Sequence, residues 1–127
     1  MRSYDLQRIY SEKARLICGI MSFTWFPDYD KTEFHIDHKF SISEGFKQQI
    51  PLWIIGNRNN LELLPKVENM QKGSKCSISY DELIATADPR IKTVAAMVAQ
   101  LSVTNLRRMQ EKMIMKNSKY KRYCRYR

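Results

Sequence analysis

The sequence predicts an α+β domain: a short two-stranded hairpin and a following helix, flanked by an N-terminal helix and by C-terminal helices. Three observations carry this reading. Residues 5–21 place Leu6, Ile9, Tyr10, Ala14, Leu16, Ile17, Ile20 and Met21 at spacings of mostly three and four, the period of a helix. Glu33 to His38 instead alternates polar and apolar residues, the period of a strand. After Asp88-Pro89, an apolar stripe of Ile91, Val94, Val98, Leu101, Met109 and Met113, with Leu106 close to it, marks a long amphipathic helix.

Taken in order, the first helix is continuous or broken near Ser11, and Gly19 with the bulky run Phe23, Trp25 and Phe26 marks the loss of its period. Pro27 to Asp30 reads as a turn. In the first strand Phe34 and Ile36 occupy the buried face, while His35 and Asp37 share the other. Ser41 to Lys47 is a loop with a short helical turn, and Pro51 opens another turn through Ile55, closed by Gly56. Leu61, Leu63 and Leu64 form the second strand; Pro65 then starts a helix that Gly73 stops. This order folds Asn69 back against the Asp37-His38 end of the first strand. Ser79 and Glu82 have the spacing of a capping box, and Asp88 caps a single helix running from Pro89 to about Met115.

One domain is expected, with residues 1–30 as a packing helix and loop and 31–78 as the hairpin-and-helix core. Residues 79–115 supply the C-terminal helices, and 116–127 form a basic tail. The net charge of +9 is concentrated at the C-terminus: from Arg107 to Arg127 nine lysines and arginines face one acid, Glu111. That stretch carries +8 and leaves +1 for the preceding 106 residues. A cluster of this kind suits counterion release from a polyanion, and Tyr120, Tyr123 and Tyr126, interleaved with the cations, suit stacking on bases. Neither feature reads a sequence.

Cys18, Cys76 and Cys124 are scattered and odd in number, which argues against a disulfide framework or a zinc knuckle and fits a reducing compartment. The N-terminus has no signal-peptide pattern, and no apolar run approaches the roughly 20 residues that span a bilayer. The expectation is an intracellular, cytoplasmic protein, off the membrane and without a small-molecule cofactor. It is a monomer or a weak homodimer through the C-terminal helix.

The chemistry is concentrated in residues 33–75, which hold both histidines. Asp37 directly precedes His38, and Asn60 and Asn69 follow His38 by 22 and 31 residues. Phosphodiester hydrolysis needs an activated water and charge to neutralise a crowded transition state. A neutral imidazole suits the first need, which makes His38 the candidate base. Asp37 and Asn69 offer two oxygen ligands with one negative charge, favouring Mg²⁺ or Mn²⁺ over zinc. Asn60 is an orienting residue, tying the two arms together or holding the His38 tautomer. His35 is an additional metal or phosphate contact or else a surface histidine, and Lys72 and Lys75 are candidate phosphate contacts. Lys116, Lys119, Lys121, Arg122 and Arg125 complete the candidate nucleic-acid-binding set. Glu44 and Glu68 are poor candidates, because further carboxylates repel the substrate they flank.

The combination of His35-Ile-Asp-His38, Ser41-Ile-Ser-Glu-Gly-Phe46, Ile50-Pro51, Ile54-Ile-Gly56, Asn60-Leu-Glu-Leu-Leu-Pro65 and Asn69 with Lys72-Gly73 resembles the HNH endonucleases. It is most similar to the small stand-alone enzymes encoded by bacteriophages and often associated with homing. The resemblance covers roughly residues 10–80. It implies a ββα-metal fold and divalent-metal-dependent nicking or cleavage of double-stranded DNA. It further implies Asp37 and Asn69 as metal ligands, His38 as general base and Asn60 as the middle residue of the motif. The chain departs from many relatives in having Asn69 in place of a final histidine and in lacking zinc-binding cysteine pairs. Two rival readings are a nucleic-acid-binding module without catalysis and an interaction protein that docks through its C-terminal helix.

Overall fold

The computed structural model describes residues 2–116, so the tail beyond Lys116, with Lys119, Lys121, Arg122 and Arg125, lies outside the described residues. Among the described residues the fold is α+β, with seven helices and one two-stranded antiparallel sheet. Helix α1 (Ser3–Trp25) leads into strand β1 (Phe34–His38); α2 (Ile42–Lys47), α3 (Leu52–Ile55) and a 3₁₀ turn (Arg58–Asn60) separate β1 from strand β2 (Leu61–Pro65). Helix α4 (Lys66–Lys72) follows directly, then α5 (Tyr80–Thr86), a 3₁₀ turn (Pro89–Ile91), α6 (Lys92–Ala99) and α7 (Val103–Lys116).

α1 is the post around which the other elements are built. Ala14, Leu16, Ile17 and Cys18 are all fully buried, and each belongs to one of three apolar clusters. Ala14 meets Phe40, Ile42, Ile50, Ile54, Ile55 and Leu83. Leu16 and Ile17 meet Ile91, Ala95, Val98 and Leu106, while Cys18 meets Phe26, Ile36 and Leu61 of the hairpin side. A helix that buries apolar residues on several sides is held by tertiary packing, beyond what propensity alone supplies.

This burial explains why α1 runs unbroken past both expected stopping points. Ser11 is buried and its hydroxyl donates to the Gln7 carbonyl one turn back at 2.8 Å; Ser22 does the same to Gly19 at 3.0 Å. Hydroxyls satisfied inside the helix remove the polar penalty that would otherwise end it.

The opposite correction applies at the C-terminus, where one helix from Pro89 to Met115 was expected and the chain divides into a 3₁₀ turn, α6 and α7. Ser102 starts α7: its hydroxyl accepts from the Asn105 N–H at 3.1 Å, and its carbonyl takes the first helical bond, from Leu106, at 2.8 Å. The apolar stripe survives the break, because Ile91, Val94, Val98, Leu101, Leu106, Met109 and Met113 all belong to or pack against the Leu16–Ile17 cluster.

Local signals elsewhere act where the sequence places them. Ser41 caps α2 by accepting from Glu44 N–H at 3.2 Å, Ser79 caps α5 through Glu82 N–H at 3.1 Å, and Asp88 accepts from Arg90 N–H at 2.9 Å. Gly73 ends α4 at φ 59°, a conformation costly for any residue with a side chain. At Gly45 a Cβ would stand 2.8 Å from both Ile55 Cδ1 and the Tyr10 hydroxyl, so glycine sets the approach of α2 to α1 and α3.

Candidate functional site

The pleat of β1 sorts its residues. Ile36 packs with Cys18 and Phe26, whereas His35 and Asp37 meet α4. The antiparallel register sets His35 opposite Leu64, Asp37 opposite Glu62 and His38 opposite Leu61. Phe34, expected on the buried face with Ile36, is instead 37% exposed; it stands opposite Pro65 at the far end of the hairpin, away from the His38 end. His35, Asp37 and His38 are each no more than 4% exposed. Both faces of this end of the strand are therefore covered, and His35 is not a surface histidine.

On α4, Asn69 and Lys72 are three residues apart and share one face. The Asn69 side-chain nitrogen donates to His35 Nδ1 at 3.0 Å, and the Lys72 ammonium lies 2.8 Å from Asp37 Oδ2. Lys72 also donates to the His38 carbonyl at 3.0 Å. With its side chain only 13% exposed, Lys72, offered by the sequence as a candidate phosphate contact, is an internal counter-ion of the carboxylate. Asn69 is fully buried, and holding its nitrogen on His35 leaves its oxygen without a hydrogen-bond partner among the described residues.

Two buried polar atoms here, Asn69 Oδ1 and His38 Nε2, have no hydrogen-bond partner among the described residues. Each such atom costs about 1–3 kcal/mol, a penalty that native proteins keep where a polar occupant or a reaction uses the atom. The donor set fits a hard divalent cation, since Asp37 and Asn69 present oxygen atoms. Among the described residues no three His, Cys, Asp or Glu side chains converge as a metal-holding group. A cation held by one carboxylate and one amide fills its remaining positions with water and substrate oxygens.

Burial, reinforced by the positive charges of Lys72 and Arg15, pushes the His38 imidazole down to about 3 from its ordinary 6.5. The ring is therefore neutral at pH 7. Because the folded value lies below the unfolded one, the unfolded chain binds the extra proton between these limits. Stability from this residue is complete above about pH 6.5 and falls as pH drops toward 3, by at most about 1.4 kcal/mol per pH unit. Urea unfolding at pH 7 and pH 5 is expected to show a loss of about 2 kcal/mol that His38→Gln largely removes. An equal pH response in the variant would assign the slope to other groups.

Asn60 is fully buried and does not act on an imidazole. Its oxygen accepts from Phe40 N–H at 2.7 Å, and its nitrogen donates to the carbonyls of Phe40 at 3.1 Å and Ile55 at 2.8 Å. It ties the segment just after His38 to the end of α3. Asn57 and Asn59, which drew no notice in the sequence, make similar clasps. Asn57 bonds both the N–H and the carbonyl of Asp88, at 3.0 and 2.9 Å, and Asn59 donates to the Leu83 carbonyl at 3.0 Å.

Arg15 is the other residue the sequence did not single out. It sits on α1 between the buried Ala14 and Leu16 and adds to the positive field at His38. Lys75 is exposed just past α4, and Lys116 is the last residue of α7. The structure thus brings together His35, Asp37, Asn69 and Lys72, with the backbone of His38 bound to Lys72 and Asn60 bracing from behind. Comparisons with protein-family models, with curated proteins and with solved structures found no match to this chain.

Proposed function

We propose that this protein is a divalent-metal-dependent HNH endonuclease that nicks or cleaves double-stranded DNA, with β1, β2 and α4 as its ββα-metal unit. The observation that supports the reading is the docking of α4 on β1, which seats Asn69 on His35 and Lys72 on Asp37, beside the buried His38, and leaves Asn69 Oδ1 without a hydrogen-bond partner among the described residues. Asp37, His38 and Asn69 also carry the resemblance of the sequence to that family. When bound by Asp37 and Asn69 Oδ1, Mg²⁺ or Mn²⁺ supplies Lewis-acid stabilisation of the transition-state charge and the departing oxygen.

The chain's own residues do the rest. His38, neutral at pH 7, takes the proton of the attacking water through its ring nitrogen. An arriving phosphodiester opposes the field of Lys72 and Arg15, which raises the proton affinity of His38 at the moment a base is needed. The exposed Lys75 and the C-terminal cations hold the DNA backbone, so binding weakens steeply with salt.

The test is incubation with supercoiled plasmid in Mg²⁺ or Mn²⁺, with EDTA and Asp37→Ala as controls. Nicked or linear product is expected from the wild type alone, and only with metal. Salt-sensitive DNA binding without cutting in any divalent metal would replace this reading with the non-catalytic binding module.

A further inference from the structure

We infer that Lys72 is a built-in competitor of the divalent cation: its ammonium neutralises the Asp37 carboxylate in the metal-free protein and opposes the entry of the metal there. The inference rests on the metal reading of Asp37 and Asn69 given above. Its own support is geometric. Lys72 Nζ lies 2.8 Å from Asp37 Oδ2 and donates to the His38 carbonyl at 3.0 Å, so it is held at two points on the strand end. The carboxylate is 1% exposed, and a buried carboxylate needs a positive partner. An ammonium on one oxygen of a buried carboxylate and a divalent cation on the same carboxylate stand close enough to repel strongly, so the presence of Lys72 opposes the metal.

Two consequences follow. The protein stays folded without metal, because Lys72 neutralises Asp37, and metal binding is weaker than the same ligands would otherwise give. If the cation-ready arrangement is populated about a tenth of the time, apparent affinity falls about tenfold.

The experiment is Mn²⁺ titration followed by electron paramagnetic resonance, with thermal unfolding in EDTA and in Mn²⁺, on wild type, Lys72→Met and Asp37→Asn/Lys72→Met. Lys72→Met is expected to bind Mn²⁺ about tenfold more tightly, to melt lower than wild type in EDTA and to regain stability in Mn²⁺. The double variant is expected to lose both the tight binding and the rescue. Lys72→Gln, which keeps a hydrogen-bond donor but no charge, serves if Lys72→Met fails to fold. Equal or weaker Mn²⁺ binding by the folded lysine variant, with wild type binding normally, overturns the competition and leaves the metal site standing. Absence of Mn²⁺ binding in every protein overturns the metal reading and the competition with it.

Discussion

Replacing His38 by alanine is expected to slow plasmid nicking about 10²–10⁴-fold, the range over which a positioned general base acts. The substitution removes a ring that is buried, neutral and, among the described residues, without a hydrogen-bond partner at Nε2, so it takes away the proposed proton acceptor. The backbone carbonyl of His38, which Lys72 grips, remains. Folding at pH 7 is therefore expected to survive at the cost of a cavity, and Mn²⁺ binding, proposed at Asp37, to be unaffected. Single-turnover nicking at saturating DNA reads the step concerned. Added imidazole, small enough to enter the vacated space, is expected to restore part of the rate. A variant within about threefold of wild type, folded and DNA-bound, would show that another group takes the proton.

Much of the fold was legible because its signals are local. A strand needs only its alternation, and Ser41, Ser79 and Asp88 cap helices whose first turns lie within three residues. The hairpin and α4 were likewise readable, and so was the return of α4 to β1, though Asn69 meets His35 and it is Lys72 that reaches the Asp37-His38 end. What escaped depends on distance in the chain. Ser11 looks like a breaker until α1 is known to be enclosed, and the Pro89–Met115 stripe looks like one helix because a core-facing stripe keeps its face across a short break.

The candidate site shows the same division. Residue types and spacing pointed to Asp37, His38 and Asn69, but a lysine three residues beyond Asn69 reads equally as solvated or as buried against a carboxylate. Only the docking of α4 on β1 decides, and it makes Lys72 the partner of Asp37. Arg15 is invisible for a related reason: a cation on an apolar helix is ordinary until a histidine 23 positions later is packed within its field. The two asparagine clasps at 57 and 59 bond backbone groups 31 and 24 residues away, and backbone groups carry no side-chain signature.

Asn60→Ala is expected to be the most destabilising of the substitutions considered. It breaks three buried hydrogen bonds at once and leaves the Phe40 N–H, the Phe40 carbonyl and the Ile55 carbonyl to find other partners. At about 1 kcal/mol for each bond, and more where the abandoned group stays buried, the loss is about 3–5 kcal/mol. Thermal unfolding is then lowered by roughly 10–25 °C for a chain of this size. Asn57→Ala is the informative comparison. It also removes a buried amide clasp, but one that holds Trp53 and Asp88 and makes no bond to the segment after His38. Phe40 is two residues beyond His38, so of the two it is the loss of Asn60 that frees the strand end carrying Asp37 and the proposed base. Nicking per folded molecule, measured well below both melting transitions, should therefore fall for Asn60→Ala and hold for Asn57→Ala. Equal activity of the two folded variants would reduce Asn60 to a stabilising clasp. A large loss of activity without loss of stability would instead give its amide a direct part in the chemistry, at odds with the three backbone groups that already occupy it.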